Sequence, residues 1–264
     1  MTPYANELIT SDKNQTVKLT KALLTQSRQR KKLGQTILEG VHLIDAALRS
    51  DYPFVQILLS QSAHADAEVQ QVLTRLPTYA PILTLSDALY ASIRSLGTGI
   101  DIMAIVAIPV PSLTFINDDC LILNDVQDSG NVGTLLRTAA AIGINNILCT
   151  TGTAQAWSPK TLRAGMGAQF ALNIYEGLSV ADILEHVKVP LFATSSHTDT
   201  VIYEHNLEAP LAWIMGHEGQ GVCAKLMQCA TPIALPQPNG QESLNVAIAG
   251  ALCLYETLRQ RKYR

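Results

Sequence analysis

Asn131, Gly133 and Arg137 stand at the start of an alanine-rich helical stretch in "NDVQDSGNVGTLLRTAAAIG", residues 124–143. If the helix starts near Asn131, that side chain caps free backbone amides, and Gly133 and Arg137, four residues apart, share one face. Such a mouth offers N–H groups, little bulk and one fixed positive charge, which suits a phosphate or another anionic oxygen. A plain capped helix whose arginine pairs with a surface acid reads equally well from this stretch alone. A second candidate is "GHEGQGV", residues 216–222, where Gly216, Gly219 and Gly221 surround Glu218 and allow a ligand close to the backbone beside a carboxylate. Its glycine order is not that of a dinucleotide fingerprint, and Gly221 stands where a zinc-binding HExxH would need its second histidine. In the third, "QPNGQESLNVAIAG", Pro236 and Pro238 stiffen the chain and Gly240 relaxes it. Ser243 and Asn245 stand there at a helix start, where polar side chains are ordinary caps as readily as chemical groups.

Each of these loops follows a short apolar run, the place where open α/β sheets bind ligands. Residues 15–33 are expected as one helix ending at Gly34, after which "TILEG", "FVQILLS", "PILTLS" and "IDIMAIVAIP" read as strands. Helical segments separate them, one of them near residues 64–76. The prolines and polar cluster of "PVPSLTFINDD", 109–119, break both periodicities and divide the chain into residues 1–108 and 119–264 with a linker at 109–118. Past it, "CLILNDV", "NILCT", "PLFATSS", "LAWIMG" and "TPIALP" alternate with helices, as in a largely parallel sheet covered on both faces. The last helix, about Ser243 to Lys262, lines up Leu244, Ile248, Ala251, Leu252, Tyr255 and Leu258 in one broad stripe.

The 264 residues, 47% of them hydrophobic, can bury a substantial core. No run approaches the roughly 18 apolar residues of a bilayer-spanning helix, and the opening lacks the order of a signal peptide, so a cytoplasmic protein without membrane contact is expected. Five cysteines without a CxxC pair indicate neither a disulfide framework nor a metal site. The net charge of −3 argues against a uniformly basic nucleic-acid binder, yet Lys13, Lys18, Lys21, Arg28, Arg30, Lys31 and Lys32 follow one another without an acid among them. On charge alone this run is as well a solvated helix face as a phosphate-binding surface.

Together and in this order, the three loops resemble the motifs of the SpoU family, the TrmH-like branch of the SPOUT methyltransferases. "NVGTLLR" resembles motif 1, "IMGHEGQGV" motif 2 and "LPQPNGQESLNVAIAGALCLYE" motif 3, while "SPKTLRAGMGAQF" is similar to the segment linking them. The likeness runs over residues 119–262. It departs from the usual pattern at Ser129, Gln237 and Ala247, where the family commonly has proline, methionine and serine. The amino-terminal half, with its basic helix, "ILEGVHLIDAAL" and "GIDIMAIVAIP", resembles the L30e-like substrate-binding domain that often precedes this catalytic domain.

The resemblance implies an α/β fold with an open, mostly parallel sheet, a deep C-terminal trefoil knot and a homodimer with each active site near the partner subunit. It also implies S-adenosylmethionine as cofactor and methyl transfer to a ribose 2′-hydroxyl of RNA, with 23S rRNA favoured over tRNA and no metal. By position it makes Arg137, Asn131, Glu218, Ser243 and Asn245 the catalytic set. It makes Thr194, Gly216, Gly219, Leu235 and Leu244 the cofactor-binding set, and it gives Arg28, Arg30, Lys31 and Lys32 an RNA-binding meaning. A non-catalytic RNA-binding protein of the same fold would need few of the five polar residues, and a small-molecule enzyme would have no use for the basic leader.

Overall fold

The computed structural model describes residues 8–95, 97, 101–195, 198–239 and 243–263. In chain order the elements are α1 (Gln15–Thr25), α2 (Ser27–Leu33), β1 (Gln35–Glu39), α3 (Val41–Arg49), β2 (Phe54–Ser60), α4 (Ala67–Leu73), β3 (Ile82–Leu85), α5 (Asp87–Ile93) and β4 (Ile102–Ala107). They continue with β5 (Cys120–Asn124), α6 (Ser129–Ile142), β6 (Asn146–Thr150), α7 (Pro159–Gly165), β7 (Asn173–Leu178), α8 (Val180–His186), β8 (Leu191–Thr194), β9 (Ala212–Gly216), α9 (Ala224–Cys229), β10 (Thr231–Ile233) and α10 (Val246–Lys262). Among the described residues no helix is long and apolar enough to cross a membrane.

Packing divides the chain into two compact units. One holds the described residues up to Pro109 together with Trp157–Phe170, and the other holds Val110–Ala156 and the chain from Ala171 onward. Division at the linker therefore describes chain order, whereas packing returns residues 157–170 to the first unit. There the Thr36 hydroxyl donates to the Trp157 carbonyl at 2.6 Å, and Tyr52 lies against the rings of both Trp157 and Phe170.

In the first unit the sheet runs β1-β4-β2-β3, with β4 antiparallel to both neighbours. That central place is why "IMAIV" carries no polar alternation: all five residues are buried. The single helix expected over 15–33 is two, because Gln26 takes an extended conformation (φ −115°, ψ 106°) between α1 and α2. Arg30 holds the elbow, donating at 2.8 Å to the Leu23 carbonyl, one of the acceptors that a helix end leaves without an intrahelical partner.

The second unit is built on six parallel strands in the order β10-β8-β9-β5-β6-β7, so all their carboxyl ends lie along one rim. Cys120–Asn124 and Ala212–Gly216 are buried at every position, as strands covered on both faces must be. Edge strand β7 was not legible as an apolar run because only Ile174 in it is buried. Trp213 is fully buried and donates its indole N–H to the Thr257 hydroxyl at 3.0 Å, fastening α10 to β9. Gly250 lies where α10 crosses α6, and a Cβ there would stand 2.3 Å from Leu135 Cδ2, so that side chain would have to shift to admit one.

The stripe expected on the last helix faces outward. The buried residues include Val246, Ala247, Ala249, Gly250, Cys253, Leu254 and Thr257, while Ile248, Leu252 and Tyr255 are 52%, 50% and 52% exposed. Small residues allow α10 to approach its neighbours closely and leave the large apolar ones uncovered, a choice that a period of 3.6 does not reveal when both faces are apolar.

Candidate active site

Three loops that leave the rim are brought together by hydrogen bonds. The loop after β5 begins at Asp125, whose φ of 59° is left-handed, a conformation that Asp tolerates better than most residues. Its N–H donates to Thr150 Oγ1 at 2.9 Å and Thr153 Oγ1 at 3.1 Å, tying it to the loop after β6. Helix α6 then starts at Ser129, two residues before Asn131, and its cap is Asp128, whose carboxylate accepts the Asn131 N–H at 2.9 Å. Asn131 is thus freed from capping. Gly133 is buried in the packing of α6 rather than bare at its mouth.

The second loop, after β9, folds back on itself, with His217 and Gly221 exchanging both backbone hydrogen bonds at 3.1 and 2.8 Å. Gly216 is obligatory there, because a Cβ would stand 2.3 Å from Gly221 C and Val222 N. The exit is fixed by buried Asn124 at the end of β5, which accepts the Cys223 N–H at 2.7 Å and donates to Thr150 Oγ1 at 3.4 Å. The third loop delivers Asn245, the cap of α10, whose Oδ1 accepts from Ala247 N at 2.9 Å and Ile248 N at 3.2 Å. Helix α10 therefore begins at Val246, and Ser243 stands exposed ahead of it, while Gly240 lies outside the described residues.

One chain of hydrogen bonds joins all three. Asn245 Nδ2 donates to Asn131 Oδ1 at 3.0 Å, and Asn131 Nδ2 donates to Glu218 Oε1 at 3.0 Å. Chemistry sets the direction: a carboxylate only accepts, and the α10 amides at the other end only donate, so each asparagine must turn its NH2 toward Glu218. Glu218 also accepts the N–H groups of Gln127 and Asp128, both at 3.3 Å. Burial pulls its carboxyl upward, but the Asn131 amide and these backbone donors outweigh that and hold it below the ordinary carboxylate range.

This corrects the reading of the helix mouth as a place for phosphate. The anionic oxygens at α6 are the protein's own, from Asp128 and Glu218, and a phosphate would meet two negative charges there. Arg137 is exposed on α6, with no hydrogen-bond or ion-pair partner among the described residues.

The proposed cofactor residues lie along the same rim. Thr194 closes β8 and pairs with Ile233 of β10, and Gly216 closes the next strand, β9. Leu235 and Leu244 line one hollow of about 280 Å³ together with Ile202, Leu252 and Tyr255. Gly219 has no left-handed φ, and a Cβ there would sit 3.6 Å from His217 Cε1, so neither space nor conformation demands a glycine. Among the described residues no group of three His, Cys, Asp or Glu side chains could hold a metal ion.

In the first unit Arg28, Lys31 and Lys32 are exposed on α2, whereas Arg30 is 6% exposed. Arg30 is corrected from a phosphate contact to a structural group, because its guanidinium is spent on the elbow carbonyls. Sequence reasoning did not single out two polar side chains that bond these loops: Asn124, which accepts the Cys223 N–H, and His217, whose Nδ1 accepts the Gly219 and Gln220 N–H groups. A polar residue closing an apolar strand and an acceptor side chain opening a glycine loop were the available signals.

Residues 119–255 match the SpoU rRNA Methylase family, and residues 14–104 match the MRM3-like substrate binding domain. The chain is 32% identical to an uncharacterized tRNA/rRNA methyltransferase of Synechocystis, over 99% of this chain and 97% of that one. It is 33% identical to the 23S rRNA (guanosine(2553)-2′-O)-methyltransferase RlmP of Bacillus subtilis, over 94% of this chain and 97% of that one. An AdoMet-bound rRNA methyltransferase from Sinorhizobium meliloti superposes with a TM-score of 0.84 at 25% identity, covering 96% of this chain and 97% of that one.

Proposed function

The chain belongs to the SpoU rRNA methylase family, and from that premise we propose that it transfers a methyl group from S-adenosylmethionine to a ribose 2′-hydroxyl of 23S rRNA. The observation that carries this reading is the relay from Asn245 through Asn131 to Glu218, which gathers residues from three distant loops at the carboxyl rim of the sheet.

The residues at the rim fit S-adenosylmethionine. Leu235 and Leu244 line a hollow with apolar walls for a flat base and with Glu256 and Arg259 at hand for polar groups, and Thr194 and Gly216 end adjacent strands. When bound, the cofactor supplies a methyl group already activated on a sulfonium. What remains for the protein is alignment of a weak nucleophile and removal of one proton. Arg137 is no base, since a guanidinium stays protonated in proteins. Its role in this reading is electrostatic stabilisation of the developing alkoxide, with the proton leaving to phosphate or water. Asn131, Glu218, Ser243 and Asn245 shape the floor on which the ribose rests.

The same reading assigns residues 1–108 to substrate binding with an L30e-like fold and residues 119–264 to catalysis. Exposed Arg28, Lys31 and Lys32 support RNA binding by the first part. A trefoil knot is supported by the path after β10: that strand sits at the sheet edge, while α10 packs on α6 and β9 near the middle. A homodimer is supported by the outward apolar side chains of Ile248, Leu252 and Tyr255. The cytoplasm, where ribosomal RNA is found, is the proposed place of action.

Mapping 2′-O-methyl positions in cellular RNA with and without the gene tests this function. The expected result is loss of one position in 23S rRNA. Loss from tRNA instead would overturn the substrate, and an unchanged map would overturn the activity.

A further inference from the structure

The Nδ1 atom of His217 accepts two backbone N–H groups, from Gly219 at 2.9 Å and Gln220 at 3.2 Å. The third amide of the loop, Gly221 N–H, donates to the His217 carbonyl at 2.8 Å. Three successive amides of the glycine loop therefore point inward at one residue, and Glu218 is carried on the ring that they close.

We propose that His217 is a positioning residue for Glu218, with its imidazole serving as the internal cap that gives the loop its shape. The reading rests on the proposed methyltransferase site and deepens it. Two asparagines in this chain make the same bond pattern. Asn245 Oδ1 accepts from residues two and three positions on at 2.9 and 3.2 Å, and Asn14 Oδ1 does so at 2.9 and 3.3 Å. His217 reproduces that turn with a ring nitrogen. Nδ1 must then be the unprotonated nitrogen, with the ring hydrogen on Nε2.

The exit of the loop does not depend on this ring, because Asn124 holds Cys223 N separately. Gly219 and Gln220 are exposed, so amides released there would be taken up by water. Loss of the imidazole is therefore felt in where Glu218 points rather than in whether the protein folds.

The test compares His217→Phe, which keeps a ring without an acceptor, with His217→Asn, which keeps an acceptor in the pattern of Asn14 and Asn245. In methyl-incorporation assays His217→Phe is expected to lose on the order of tenfold or more in kcat, the scale of a misplaced group in a site. Its melting temperature should stay within about 3 °C of wild type, and His217→Asn should return to within about threefold of the wild-type rate. A wild-type rate in His217→Phe, or no recovery in His217→Asn, overturns the proposal.

A second readout is independent of activity. In 15N-labelled wild-type protein the His217 ring should show Nδ1 without hydrogen, and in His217→Phe the Gln127 and Asp128 amides and the Asn131 side-chain NH2 should shift. Hydrogen on Nδ1, or unmoved signals, overturns the proposal even if the wild type transfers no methyl. An inactive wild type with the expected spectra instead refutes the proposed function and leaves the positioning intact.

Discussion

Replacing Asn131 by Asp changes one NH2 to an oxygen at nearly constant shape and turns the relay against itself. The new carboxylate faces Glu218 Oε1 at the position of the present 3.0 Å bond. Two unit charges about 3 Å apart repel by roughly 1.4 kcal/mol in a water-like dielectric and about 5.5 kcal/mol at an effective dielectric of 20. Because Glu218 is exposed, the lower end applies. Even that raises the upper pKa of the pair, and the two groups titrate together. Below that pKa a shared proton restores a donor where Asn131 had one; above it both carboxylates are charged and the loops after β5 and β9 are pushed apart. The rate of Asn131→Asp relative to wild type should therefore fall as pH rises from about 5 to 8. Wild type has no such step there, since its Glu218 is already held below the usual carboxylate range. Initial rates of methyl incorporation across that range are the assay, with Asn131→Ala as a control that is slow but parallel to wild type. A flat or rising ratio for Asn131→Asp would refute the relay.

Gly216→Ala should abolish S-adenosylmethionine uptake in calorimetry, because its Cβ would stand 2.3 Å from backbone atoms of Gly221 and Val222. Gly219→Ala, with 3.6 Å to His217, should bind within about threefold of wild type, an ordinary van der Waals contact. Lys31→Ala with Lys32→Ala should lower the slope of log RNA affinity against log salt by about 2 in filter binding, one unit for each phosphate that is no longer neutralised. Arg30→Met should instead lower the melting temperature by removing the donor to Leu23. Leu252→Asp with Tyr255→Asp should convert a dimer to a monomer in light scattering, since both side chains are half exposed on α10.

Much of the second unit was legible because its central strands are buried on both faces and stand out as apolar runs between turn signals. "CLILN", "NILCT" and "LAWIMG" became β5, β6 and β9 with small changes at their ends. The candidate site was legible only as three separate loops, and nothing local foretold a hydrogen bond between Asn131 and Asn245, 114 positions apart. What remained hidden was orientation: the outward stripe of α10, the inward turn of Arg30 and the filling of the α6 mouth by Asp128 and Glu218 all depend on partners distant in sequence. The elbow at Gln26 shows the same limit, for residues 15–33 contain no proline or glycine to announce a break.

The most direct test is methyl transfer by the pure protein from radiolabelled S-adenosylmethionine to ribosomal RNA, with the product digested to nucleosides and identified by mass. A 2′-O-methylated nucleoside is expected, with its near-complete loss in Arg137→Ala. A base-methylated nucleoside, no incorporation at all, or an undiminished rate in Arg137→Ala would contradict it.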